Sequence, residues 1–159
     1  MSDLDDLYRE ILLDHYRSPR NRGPLPGANA RAEGANPLCG DEIAVELRID
    51  DDGRIADVAF EGSGCSISQA SSSMMTQYVK GRPAAEALAA VAAFQRMMVE
   101  GEEPGADFGD IEALSGVRRF PVRVKCASLA WKTLEQALRR REPSGDGAPV
   151  PVTTDERSL

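Results

Sequence analysis

The spacing of apolar positions changes several times along this chain, and each change marks an element. Leu4, Leu7, Tyr8, Ile11, Leu12 and His15 recur at three- and four-residue intervals, which predicts an amphipathic first helix. Ser2 or Asp3 can cap it, and it ends before Ser18-Pro19, because a residue preceding proline avoids the helical region. Residues 20–36 show no period and are rich in Gly, Pro, Asn and Ala, so they read as an irregular connection. The period then becomes two. Ile43, Val45, Leu47 and Ile49 alternate with polar or small residues, Asp50-Asp51-Asp52-Gly53 is turn chemistry, and Ala56, Val58 and Phe60 alternate again. This predicts an antiparallel hairpin with one buried face.

Helical spacing returns at Ile67, Ala70, Ser71, Met74, Met75 and Tyr78, with Ser66 as N-cap and Gln69 as its capping-box partner. Gly81 and Pro83 end that helix, and an alanine-rich helix follows from about Pro83 to Val99. Met74, Met75, Met97 and Met98 read as core filler. Residues 101–116 are acidic and glycine-containing; they read as a surface excursion with one helical turn near Asp110–Leu114. A last helix begins near Pro121 and carries Val122, Cys126, Leu129, Ala130, Leu134 and Leu138 on one stripe. The order predicts an α+β fold, a small antiparallel β-sheet with α-helices packed on one face, over residues 1–142. Residues 143–159 have little apolar content and read as a disordered tail.

Composition narrows the function. The chain has 159 residues and a net charge of -7, which argues against general nucleic-acid binding. No apolar run approaches the roughly 20 residues that span a bilayer, and the acidic start is unlike a secretory signal, so a cytoplasmic location is expected. Arg118, Arg119, Arg123, Lys125, Lys132, Arg139, Arg140 and Arg141 concentrate basic charge on the last helix. They form either a solvated face or a docking surface for an acidic protein partner. His15, the sole histidine, lies on an apolar stripe and reads as a packed, hydrogen-bonded residue.

The chemistry rests on three cysteines and one aspartate. On an extended backbone Cys39 and Asp41 face the same way. Cys65 sits at a helix N-terminus, where free N–H groups and the helix dipole favour a thiolate. Gly62 and Gly64 permit a close backbone approach beside it. Cys126 points inward from the last helix, with Arg123 and Lys125 as nearby cations. Three thiolates and a carboxylate suit tetrahedral zinc, but the spacing lacks a Cys-x-x-Cys pair, and buried inert thiols remain an equally open reading.

Several long motifs fall in a fixed order. They are Leu7-Tyr8, Asp14-His15-Tyr16 with Ser18-Pro19-Arg20-Asn21, Asn36-Pro37-Leu38-Cys39-Gly40-Asp41, Gly62-Ser63-Gly64-Cys65-Ser66-Ile67-Ser68, and Arg119-Phe120-Pro121-Val122-Arg123-Val124-Lys125-Cys126 leading into Leu129-Ala130-Trp131. Together they resemble the SufU branch of the IscU/NifU-N-like iron–sulfur cluster assembly proteins, from about Leu4 to Arg141.

The resemblance implies an IscU-like fold and a zinc ion held by Cys39, Asp41, Cys65 and Cys126. It implies a sulfurtransferase that is co-substrate and activator of a PLP-dependent cysteine desulfurase of the SufS type. Cys39 would take a persulfide once a partner histidine replaces it on the metal, and Arg123 would steady the anion. PLP would belong to the desulfurase, and the sulfur would pass to an iron–sulfur scaffold or a thiol carrier. The alternative is a scaffold that holds iron or a [2Fe–2S] cluster on the same cysteines. Lys125 stands where scaffold-type relatives carry a ligand histidine, and residues 101–116 are an insertion those relatives lack. The missing histidine favours sulfur transfer.

Overall fold

The computed structural model describes residues 3–37, 40–102, 108–140 and 152–153. Helix α1 (Asp3–Arg17) leads into strands β1 (Ala30–Asn36), β2 (Asp41–Ile49) and β3 (Ile55–Ser63). Helices α2 (Ser66–Val79), α3 (Ala84–Gln95) and α4 (Pro121–Arg140) follow, and β4 (Val152–Thr153) closes the order. A π-helical turn, Arg96–Glu100, extends α3, and a 3-10 helix, Gly109–Val117, precedes α4. The α+β expectation is met. Among the described residues no helix is long and apolar enough to cross a membrane.

The sheet runs β3-β2-β1-β4. The expected hairpin is β2–β3, with Leu47 opposite Val58 and Val45 opposite Phe60. Its turn is built by Asp50, whose carboxylate accepts from the N–H groups of Asp52 and Arg54, and by Gly53 at φ 83°. Ile43, Val45, Leu47 and Ile49 are all buried on one face, under α4.

Three sequence expectations need correction. Residues 30–36 are not irregular: β1 pairs antiparallel with β2 from Ala30–Leu47 to Asn36–Asp41. Its inward residues are Ala30, Ala32, Gly34 and Asn36, small enough for α4 to pack closely, so the strand lacks the bulky residues that advertise one. Residues 101–116 are not a surface excursion throughout. Phe108, Ile111 and Leu114 are buried, and Phe108 meets Tyr78 edge-on and lies tilted against Trp131. Lastly, α2 is capped by Cys65, one residue before the expected Ser66.

Trp131 centres the helical layer. It stacks on Phe94 at 4.5 Å and donates its indole N–H to Ser71 Oγ at 3.2 Å. The four methionines named above are buried, as expected of core filler. His15 is fully buried, with Nδ1 2.8 Å from Ser73 Oγ and Nε2 3.0 Å from Asp110 Oδ2, so it is the packed, hydrogen-bonded histidine the stripe predicted. The segment after α1 is fastened to the same helix. Arg20 N–H donates to Ser73 Oγ, and Asn21, at φ 60°, donates its side-chain amide to Thr76 Oγ1. The N-cap of α1 and most of the tail lie outside the described residues. Within the tail, Val152–Thr153 pairs parallel with Gly34 and Ala35 of β1.

Candidate metal centre

Three elements meet at one corner of the fold. Asp41 opens β2, Cys65 caps α2, and Cys126 lies near the start of α4. One ligand atom from each of Asp41, Cys65 and Cys126 falls within 4.8 Å of the other two. Asp41 is fully buried and Cys126 is 1% exposed, whereas Cys65 is half-buried and faces the way out. Thiolates around zinc at about 2.3 Å would stand roughly 3.8 Å apart, so these three donors need to close by no more than about an ångström. Two thiolates and a carboxylate are donors of the kinds zinc takes, and the corner fits that ion.

The backbone aims the carboxylate. Cys65 N–H donates to Asp41 Oδ1 at 2.9 Å, leaving Oδ2 facing the sulfur at 4.0 Å. With the cap at Cys65, Gln69 falls one residue past the position a capping box requires, and its Oε1 is buried without a hydrogen-bond partner among the described residues. Instead Cys65 Sγ accepts from Ser68 N–H at 3.5 Å, a cap made by sulfur. The glycines do what close approach requires. A Cβ on Gly64 would lie 2.5 Å from Asp41 Oδ1, and one on Gly62, at φ 153°, would strike the Glu42 carbonyl.

A hydrogen bond with Cys126 pulls the Cys65 thiol down from 9.0 to about 6, aided by the Ser68 and Ile67 N–H groups. Partial burial and the Asp41 charge oppose this without reversing it. Cys126 Sγ also lies 3.8 Å from the Asn36 side-chain amide, which is fully buried at the end of β1. Asn36 escaped the sequence reading because nothing in its spacing connects it to Cys126; only the register of β1 does.

The remaining candidates divide. Cys39 lies outside the described residues. Gly40 is left-handed at φ 72°, and its N–H closes a turn onto Asn36 O at 2.9 Å. An extended backbone therefore does not run through Gly40, and simple alternation does not set the relation of Cys39 to Asp41. Arg123 lies on a separate groove of about 540 Å³ that opens beside the site, lined by Tyr8, Leu12, Ile67, Phe120, Arg9 and Arg119. Among the described residues Arg123 makes no ion pair, so the salt-bridge reading of it has no partner there. Lys125 is buried, and Arg139 pairs with Glu135 on its own helix at 3.0 Å.

An α+β domain with cysteines and an aspartate gathered where a hairpin meets two helix N-termini is the arrangement of one known family. Residues 7–141 match the model for the NifU-like N terminal domain, and the chain belongs to that family. It is 47% identical to the zinc-dependent sulfurtransferase SufU of Bacillus subtilis (strain 168), over 89% of this chain and 95% of that protein. It is 43% identical to the iron–sulfur cluster assembly scaffold protein IscU of Streptococcus pyogenes serotype M1, over 88% of this chain and 87% of that one. Among solved structures, FiSufU of Fervidobacterium islandicum AW-1, a candidate iron–sulfur cluster assembly scaffold protein for the SUF system, superposes with a TM-score of 0.76 at 38% identity. The overlap covers 81% of this chain and 94% of that one. The SufU-type resemblance read in the motifs agrees with these relatives.

Proposed function

We propose that this protein takes part in iron–sulfur cluster assembly as a zinc-dependent sulfur acceptor working in the cytoplasm with a SufS-type cysteine desulfurase. The observation that carries the reading is the convergence of Asp41, Cys65 and Cys126 on one half-buried corner. The 47% identity to a protein named for zinc-dependent sulfur transfer supports it.

Asp41, Cys65 and Cys126 would hold the zinc, with Cys39, two residues before Asp41, as the fourth ligand and the thiol that reacts. When bound, the ion supplies positive charge that keeps the thiols ionised and shields them from oxidation. The chain's own groups do the rest. Cys65 N–H fixes the carboxylate, and Gly64 leaves room for it. Cys39 thiolate attacks the outer sulfur of the desulfurase's cysteine persulfide. The new S–S bond forms on Cys39, the old one breaks, and the desulfurase cysteine leaves as thiolate. Arg123, on the groove beside the site, steadies the anion that results. The groove joins three arginines to a half-exposed Phe120, a face suited to an acidic partner with an apolar anchor.

The test adds the protein, as wild type and Cys39→Ala, to a SufS-type desulfurase with cysteine as substrate. Wild type is expected to speed alanine release and to gain one sulfur at Cys39 by peptide mass; the variant should do neither while still folding. Full activation by Cys39→Ala would overturn the reading. The scaffold reading, favoured by the name of the streptococcal relative, instead requires a stable [2Fe–2S] absorbance after iron and sulfide are supplied.

A further inference from the structure

We infer that Asn36 is a positioning residue of the metal centre: its side-chain amide donates an N–H···S hydrogen bond that fixes Cys126 as a passive corner of the site. The inference rests on the metal reading above and says how one of its thiols is held.

Asn36 ties three parts of the site together. Its side-chain Nδ2 lies 3.8 Å from Cys126 Sγ, and both residues are buried. Its backbone faces Asp41 across the β1–β2 ladder. Its carbonyl accepts the Gly40 N–H at 2.9 Å, next to Asp41 in the chain. A fully buried asparagine facing inward from a strand otherwise lined by alanine and glycine needs a polar partner, because burying an amide unpaired is costly. A thiolate accepts such a bond, and the bond draws charge from sulfur, making it a weaker nucleophile.

The same logic holds for Cys65, whose sulfur accepts the Ser68 N–H at 3.5 Å. Cys126 and Cys65 are thus each held by an N–H donor from a different element, one from β1 and one from α2. Ser68 acts through the backbone and is supplied by any helix turn. Asn36 acts through its side chain, so it is the donor that substitution can remove.

The wild-type full chain, labelled with nitrogen-15 and loaded with cadmium-113, gives the direct test. Scalar coupling passes from cadmium through a ligating sulfur to a proton hydrogen-bonded to it. Cross-peaks are expected from cadmium to the Cys65 and Cys126 Hβ protons and to the Asn36 side-chain amide. Hβ cross-peaks without the Asn36 peak would overturn this inference alone. No cadmium uptake would bring down the metal reading, and this inference with it. In a second arm, Asn36→Leu keeps the volume and removes the donor. Zinc affinity is expected to fall by about 10–100-fold, and the cobalt–thiolate charge-transfer band to move to lower energy. An unchanged band and affinity in the folded variant would also overturn it.

Discussion

Two polar clusters lie along α2, one at its N-terminus and one at Ser73 near its middle, and they differ in one respect. Around His15 every hydrogen bond closes on a protein group. Nε2 meets the Asp110 carboxylate, Nδ1 meets Ser73 Oγ, and Ser73 Oγ also takes the Arg20 N–H. With Nε2 as donor and Nδ1 as acceptor, no proton is missing or in excess. Around Asp41, Cys65 and Cys126 the side chains that meet are themselves groups that ionise to anions. The three groups become acceptors once ionised, they lie within 4.8 Å of one another, and the N–H groups of Cys65, Ile67 and Ser68 and the Asn36 amide reach toward them. The first cluster is complete without a guest. The second gathers negative charge where burial makes it costly, and a cation resolves that cost. Polar burial alone does not identify a site; a buried convergence of several groups that can all become anions points to one.

The largest effect expected to sharpen this contrast comes from removing a donor. Cys126→Ala should take zinc from about one ion per chain to near none by elemental analysis. The melting temperature should then stop responding to added zinc, where the wild type gains about 4 kcal/mol at zinc a thousandfold above its Kd. His15→Leu attacks the other cluster. It leaves the Ser73 and Asp110 bonds unmade and should cost about 2–4 kcal/mol in denaturant unfolding, with zinc content untouched. If His15→Leu stripped the zinc, the two clusters would not be independent.

Gly64→Ala should act between these extremes. Its Cβ would crowd Asp41 Oδ1 at 2.5 Å, displace the carboxylate and weaken zinc by about 10–100-fold in a chelator competition, while the fold persists. The smallest effect is one of pH in the metal-free protein. The Cys65 thiol sits at about 6 in the fold against 9.0 when free, chiefly through Cys126. A depressed value stabilises the fold most above pH 9. That contribution should shrink as pH falls from 9 and be gone below about 6. Thiolate absorbance of the folded apo-protein should therefore rise near pH 6, one cysteine ahead of the rest, and Cys126→Ala should shift that rise upward.

Much of the fold was legible because its elements announce themselves through period. The first helix, the β2–β3 hairpin, α2 and α4 all fall where apolar spacing puts them. What escaped was written in small residues. The inward residues of β1 are alanine, glycine and asparagine, chosen by the closeness of α4 and not by strand propensity. Phe108, Ile111 and Leu114 sit among acidic and glycine residues, and nothing local says that this segment folds back over Tyr78 and Trp131. The site divided the same way. Asp41, Cys65 and Cys126 stood out by residue type and position on their elements, though residue type alone left their convergence open against inert thiols. Asn36 did not, since its partner is 90 residues away and reached only through the register of a strand the sequence hides.

The most direct test of the account is zinc-edge X-ray absorption on the protein as purified, with a parallel spectrum of Cys39→Ala. The account predicts one zinc with three sulfurs at about 2.3 Å and one oxygen at about 2.0 Å, and the loss of one sulfur in the variant. A zinc shell of nitrogen and oxygen only, or a spectrum the same with and without Cys39, would contradict it.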